Sequence, residues 1–481
     1  MSALTKHLVW TPAAAPASER TRARPALAAR ARGAKAGVSP SAQLSESVGL
    51  DIALPPREQA IYLLHIGAEV EHALMAQYLY AAYSLGSPQP SGDKEKIARQ
   101  WRDTVVQIAR EEMGHWAAVE NLLTLLGAPL HFDREEFPIP SDLYPFPFEL
   151  EPLTKRSLGK YVLAEMPTEE VVKKLGLEKK IDEIRKYVGG AAFDTVKVHR
   201  VGVIYDRVKK LFQKPDSPQE PPIHPPQFVR TEDILGDSVR FQARLSEWGL
   251  GYNDLLIAQP IDRKAALAAI DAISLQGEGS NVSDLETSHF GLFLDIYNRF
   301  PDDSNKWRPS RPVAKNPTTD RHASTDRRIT NELALSWAKL FNLRYHMLLF
   351  FLVHSFDVEA PADANQRTPR GLVISWAFGE MYNLRSIANI LTDLPFKKKE
   401  EARGKNEGAL RAGPPFEMPY SLALAPRESG RWRRHRDLLE ASQSHIAELQ
   451  SLDPAHARYL QGLHAADQQA LAQITTLLGE L

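Results

Sequence analysis

The chain contains no cysteine. That absence excludes disulfide scaffolds, zinc–cysteine sites, iron–sulfur clusters, thiolate haems and cysteine nucleophiles, so any metal must be held by histidine and carboxylate. A surplus of either charge is also missing. Lysine and arginine total 59 against 60 acidic residues, for a net charge of -1, and the basic footprint of a nucleic-acid binder is not there. Long apolar runs are scarce too. The longest, MLLFFLV at 347–353, falls far short of the roughly 20 residues that span a bilayer. The N-terminus has no apolar core between its charges and does not read as a secretory signal. These absences together predict a cytoplasmic protein with neither a membrane nor a nucleic acid as partner.

What is present is helical periodicity. Residues 1–48 form an Ala/Arg/Pro/Ser stretch whose composition predicts a disordered tail. Amphipathic patterns then recur at 61–85, 97–126, 196–212, 264–276 and 285–300, and after a break at 328–356, 372–394, 429–451 and 455–481. Proline marks the breaks: PDSPQEPPIHPPQ within 213–227, the polar stretch 301–326, and a loop at 395–419 that holds KKKEEARGK and GPPFEMP. Alternating β patterns are few. The expectation is an all-α fold in which 49–300 form a helical bundle, 301–325 a linker and 326–481 a C-terminal helical region packed on the bundle.

The chemistry lies where charged residues interrupt apolar stripes. On the second helix the stripe runs Ile97, Trp101, Val105, Ile108, Glu112, His115, Val119, Leu122 and Leu126, in steps of three and four that aim Glu112 and His115 at the core. A buried carboxylate costs several kcal/mol unless it is paired or bound to a metal. The first helix repeats the anomaly, with Glu71 between Gly67 and Leu74 and Glu69 off to one side. A second Glu-x-x-His pair, Glu286 and His289, opens the 285–300 segment, and Glu278 lies just upstream in QGEG.

Glu71, Glu112, Glu278 and Glu286 with His115 and His289 make the ligand set of a ferritin-like di-metal four-helix bundle, one Glu from each of two helices and one Glu-x-x-His from each of the other two. Glu165 stands in reserve. Hard oxygen donors suit iron, with manganese as the alternative. Structural readings stand beside this one. Ser283-x-x-Glu286 is also a capping box. Glu112 and His115 could be a core salt bridge, Glu278 a solvated turn carboxylate, and Glu71 a partner for Arg110. His65, His72, His346 and His354 read as structural histidines, and RWRRHR at 431–436 as a solvated helix start.

The segments LLHIGAEVEHALMAQYLYAAYSL, VVQIAREEMGHWAAVENLLTLLGAP, AALAAIDAISLQGEGS and LETSHFGLFLDIY, with GPPFEMP later, resemble the ferritin-like part of the iminophenyl-pyruvate dimer synthase family (VioB/RebD-like) of bisindole biosynthesis. The resemblance spans roughly 50–425, with EEMGHW and QGEG…SHF its most specific pieces. It implies a non-haem metal fold and oxidative chemistry on an amino-acid-derived imine in secondary metabolism. It also implies an acidic residue where this chain has Val203.

The resulting expectation is a metal-dependent oxidoreductase using two non-haem iron ions, dioxygen or peroxide and a small-molecule substrate. Glu112 and His115 would hold one ion, Glu286 and His289 the other, with Glu71 and Glu278 bridging or completing the set. A partner enzyme of the same pathway and a homo-oligomer are both compatible with the sequence. The alternatives are an iron-binding protein without organic substrate and a non-catalytic helical interaction module.

Overall fold

The computed structural model describes residues 5–12, 45–86, 91–140, 146–189, 201–213, 227–249, 255–279, 284–302, 304–361, 368–398 and 409–480. Helices dominate them, and the fold is all-α. Before the first helix, β1 (Leu8–Pro12) pairs antiparallel with β2 (Ser45–Leu50), with Leu8 opposite Leu50. The two ends of the expected tail are therefore paired with each other, while 13–44 lie outside the described residues.

The next helices are α1 (Pro56–Ser84), α2 (Gly92–Leu125), α3 (Lys155–Ala164), α4 (Glu169–Lys174), α5 (Glu178–Gly189), α6 (Gly202–Phe212), α7 (Leu245–Trp248), α8 (Arg263–Glu278) and α9 (His289–Arg299). The C-terminal part adds α10 (Glu332–Ser355), α11 (Pro369–Leu391), α12 (Glu428–Leu452) and α13 (Ala457–Glu480). Helix α1 is buried along most of its length, Glu69, Glu71 and His72 included, and so is enclosed more fully than its periodicity suggests. It packs on α2, α6 and α11. Arg57, at the start of α1, donates from Nε to the Leu126 carbonyl (3.0 Å) and from Nη2 to that of Gly127 (3.2 Å), so α1 and α2 run antiparallel. Tyr78 of α1 meets Tyr161 of α3 and Phe293 of α9, each with ring centroids 4.8 Å apart, and locks the second helix pair onto the first.

The proline-rich stretch expected as a linker is bound down along its length. Gly86 N–H donates to the Pro309 carbonyl (2.8 Å) and Arg311 N–H to that of Ser84 (2.8 Å). Asn316 and Leu150 exchange two bonds of 2.8 Å. The stretch is a strap across the bundle, because each proline removes a donor and neighbouring residues supply the missing partners.

The C-terminal helices close around one buried cation. Arg344 of α10 donates to Glu380 of α11 (2.9 Å), Ser442 of α12 (2.7 Å) and both Asp467 oxygens on α13 (2.8 and 2.5 Å). Arg370, also buried, ties α11 to Glu247 of α7 with two bonds of 2.9 Å. The basic start of α12 is solvated on its arginine side, with Arg433 exposed, while Trp432 and His435 are buried and His435 Nε2 lies 2.9 Å from His354 Nδ1. His346 is satisfied by the Glu417 carbonyl (2.9 Å), as a structural histidine should be.

Candidate metal centre

Glu112 and His115 face inward from α2, as their stripe dictates, and are 2% and 1% exposed. Between them Gly114 leaves room for the chain at 255–256. A Cβ there would stand 2.9 Å from both the Leu255 Cδ1 and the Leu256 carbonyl oxygen, so a side chain would force that segment off the helix. His289, the first residue of α9, comes from across the bundle and is fully buried. Glu112 lies between the two imidazoles. Its Oε2 is 3.0 Å from His115 Nδ1, and its Oε1 is 2.9 Å from His289 Nδ1. Glu71 Oε2 approaches His115 Nδ1 from α1 at 3.6 Å, and Glu165 Oε2 approaches His289 Nδ1 from the end of α3 at 3.8 Å.

The outward atoms of this ring are held in turn. His115 Nε2–H donates to Gln276 Oε1 (2.8 Å), and His289 Nε2–H donates to Glu111 Oε2 (2.8 Å). Tyr205 O–H donates to Glu71 Oε1 (2.5 Å), and Tyr78 O–H donates to Glu165 Oε1. Both imidazoles therefore turn Nδ1 inward with the opposite N–H fixed, as partners behind metal-ligating histidines do. Glu112 Oε1 and His289 Nδ1, despite their closeness, have no hydrogen bond of ordinary geometry. Two buried donors aimed at one point without a bond between them fit a cation. Glu112, His115 and His289 each bring one ligand atom within 4.8 Å of the others.

The electrostatics follow from burial and crowding. Burial, then the Glu112 charge, pushes the Glu71 carboxyl up to about 7. Burial opposes the charge of His115, yet its bonds to Glu112 and Glu71 raise it to about 10. His289 is likewise raised well above its ordinary value, against burial, by Glu112 and Glu111. For Glu112 burial acts upward, and the two imidazoles outweigh it and hold the carboxyl low.

Two of the six expected ligands stand outside this ring. Glu286 is exposed in a turn, because α9 begins four residues later than the periodicity suggests. Its cap is Ser288, whose Oγ accepts from Gly291 N–H (3.2 Å). A Glu-x-x-His pair shares a face only when both residues are helical, so Glu286 cannot follow His289 inward. Ser283, the other half of the expected capping box, lies outside the described residues. Glu278 ends α8, and its carboxylate fills the place a Cβ on Gly202 would take, with Oε1 2.0 Å from that point, at the start of α6. A helix N-terminus favours a negative charge there. The reserve residue Glu165 takes a ring position instead.

Glu111 and Gln276, although inside EEMGHW and QGEG, carry no periodicity signal of their own, whereas Tyr78 is legible in principle. A tyrosine on the buried stripe of α1 needs a partner for its hydroxyl. Val203 is buried at the start of α6, and that helix contributes Tyr205. Glu69 accepts from Glu135 N–H (3.0 Å), away from the ring, and burial lifts it to about 7. His65 bonds the Pro129 carbonyl (3.1 Å), and His72 bonds that of Phe132 (3.1 Å) and the Tyr345 hydroxyl.

Farther along α2, burial raises the Glu120 carboxyl from 4.5 to about 8, against a bond accepted from His131 N–H (3.0 Å). The folded chain then binds one more proton than the unfolded chain between those two values. Stability from this group is complete below 4.5 and is lost as pH rises through 8. Glu120→Gln keeps the acceptor and removes the titration. Its melting temperature should fall less steeply than that of the wild type between about pH 5 and 8, and exceed it at pH 8. Parallel curves would mean that Glu120 is ionised in the fold.

Residues 64–298 match the family model described as Ferritin-like. Dichlorochromopyrrolate synthase of Lentzea aerocolonigenes is 26% identical over 428 residues, which cover 81% of this chain and 39% of that protein. The 2-imino-3-(indol-3-yl)propanoate dimerase of Chromobacterium violaceum is 23% identical over 333 residues, 62% of this chain and 28% of that one. The chain thus spans well under half the length of the curated relatives it matches. A crystal structure of a ferritin-like protein from Caulobacter vibrioides matches with a TM-score of 0.37 and 17% identity, over 69% of this chain and 96% of that one. No helix among the described residues is long and apolar enough to cross a membrane.

Proposed function

We propose that this chain, which carries a ferritin-like domain over residues 64–298, is a non-haem di-iron oxidative enzyme of secondary metabolism acting on a small, amino-acid-derived imine or a close relative. The observation that carries the metal is the excess of buried acid. Glu71, Glu111, Glu112 and Glu165 all crowd the two imidazoles of His115 and His289. Four carboxylates converge on two imidazoles in a buried pocket, more acid than a core salt bridge calls for, and their crowding helps lift Glu71.

Glu71, His115 and one Glu112 oxygen would hold one ion. Glu165, His289 and the other Glu112 oxygen would hold the second. All five donors suit iron or manganese. Bound iron would supply one-electron chemistry with dioxygen or peroxide. The protein residues fix the donors: Tyr205 and Tyr78 orient carboxylates, and Gln276 and Glu111 set the imidazole tautomers. Phe290, Phe293 and Val203, all buried, help exclude water. The oxidative role is supported by the relatives named above, a dichlorochromopyrrolate synthase and a 2-imino-3-(indol-3-yl)propanoate dimerase.

Full-length protein expressed with iron and manganese should hold about two ions per chain by elemental analysis. Less than about half an equivalent after reconstitution would overturn the reading. The site makes a sharper demand on two glutamates. Glu165→Gln should lose about one of the two ions, whereas Glu286→Gln should lose none, since its carboxylate is in solvent. The reverse pattern would restore the sequence-based assignment. Metal without turnover of any imino acid would favour an iron-binding protein lacking an organic substrate.

A further inference from the structure

The end of α3 brings Glu165 to the ring, and the middle of the same helix meets the strap at a second buried cluster. Lys160 of α3 is 5% exposed, and its ammonium donates to Glu149 Oε2 (2.9 Å) and Glu151 Oε1 (2.5 Å). Asn316 of the strap, equally buried, donates from Nδ2 to the other Glu149 oxygen, Oε1 (3.4 Å). One carboxylate thus bridges a lysine amine and an asparagine amide, one oxygen to each. Lys315 Nζ, half in solvent, lies 2.6 Å from Glu149 Oε2 and 3.7 Å from Glu151 Oε2, so two cations meet two carboxylates.

Ion pairing accounts for the lysines and glutamates; the amide set among them gives the cluster its chemistry. Asn316 is held firmly. Its N–H donates to the Leu150 carbonyl (2.8 Å), its Oδ1 accepts from Leu150 N–H (2.8 Å), and its backbone sits at φ 45°, in the left-handed region that asparagine tolerates. Glu149 is fixed likewise, its own N–H donating to Gln77 Oε1 of α1 (3.0 Å). The Phe146 ring adds an aromatic face 5.7 Å from Lys160 Nζ.

We propose that Lys160 and Asn316 join in a side-chain amide bond, with Glu149 as the acid–base group between them. The amine attacks Cγ of Asn316: the bond from Nζ to Cγ forms and the bond from Cγ to Nδ2 breaks. Glu149 takes a proton from Nζ and hands one to the departing Nδ2, first as general base and then as general acid. A lysine ammonium and an asparagine amide become a secondary amide and an ammonium ion, so atoms and charge balance with no oxidant or cofactor. Leu150 N–H already points at Oδ1, where negative charge develops as the amine adds. Holding both groups on one carboxylate replaces a chance collision. The usual attacker of an asparagine side chain, the nitrogen of the next residue, has no N–H here because that residue is Pro317. The product staples the strap to α3, the helix that presents Glu165, in metal-free and metal-loaded protein alike.

Intact mass spectrometry of the full-length protein, held at neutral pH, should read one ammonia less than its sequence. A tryptic digest should contain a branched peptide joining Lys160 to Asn316. Lys160→Arg and Glu149→Gln should each restore the full mass, whereas Lys315→Arg, whose head group is half in solvent, should leave the loss in place. The full sequence mass in the wild type overturns the proposal. So does an ammonia loss that survives Lys160→Arg or maps to another pair of residues. Where a variant fails to fold, the branched peptide of the wild type decides by its presence or absence.

Discussion

Glu112→Ala, purified from iron-supplemented cells, retains less than about a tenth of the wild-type metal, a larger loss than any other single substitution in the ring. Glu112 faces both Nδ1 atoms, while Glu71 lies toward His115 alone and Glu165 toward His289 alone. Removing a carboxylate common to two positions empties both; removing one at the side empties one. Elemental analysis per folded chain, with circular dichroism to confirm helicity, reads the difference. Occupancy of Glu112→Ala equal to that of Glu165→Gln would mean that the two ions do not share this residue.

The second large effect is on stability. Asp467→Ala should cost about 3–5 kcal/mol in urea unfolding, because Arg344, at 0% exposure, would keep its charge and lose its only bidentate partner. The Coulomb attraction in this cluster is offset by the desolvation of four buried groups, so the network itself adds little net stability. Replacing Arg344, Glu380 and Asp467 together with Met, Met and Leu should therefore be neutral or stabilising. A small loss for Asp467→Ala would show that water reaches Arg344 once the carboxylate is gone. Both measurements use metal-free protein, which separates this cluster from the metal centre.

Much of this architecture was legible in the sequence, and the failures share a cause. The stripe on α2 placed Glu112 and His115 correctly because a long helix with steps of three and four has only one way to turn. Helix α1 did the same for Glu71. Helix α3 escaped notice: at Lys155–Ala164 it is short, begins at a Thr154–Ser157 capping box and ends before Met166-Pro167, and it carries Glu165 at its C-terminal cap. Residues at helix ends are set by caps and turns rather than by periodicity. Glu286 failed for the same reason at the start of α9. Glu111 was hidden by its neighbour, since one residue's shift turns a side chain by about 100° around a helix and sequence alone does not say which face has a partner.

The raised imidazoles have a consequence for how the centre fills. With His115 pushed up to about 10, the metal-free ring holds its protons at neutral pH. A metal takes an imidazole only as the neutral base, so each ion that enters must displace protons into solution. With the metal centre proposed above, the ring would then act as an ion exchanger. Loading in unbuffered solution should acidify it, and apparent affinity should climb with pH until the imidazoles are bare. The acidity of the surroundings, as much as the supply of iron, would decide how many of these chains carry a complete centre.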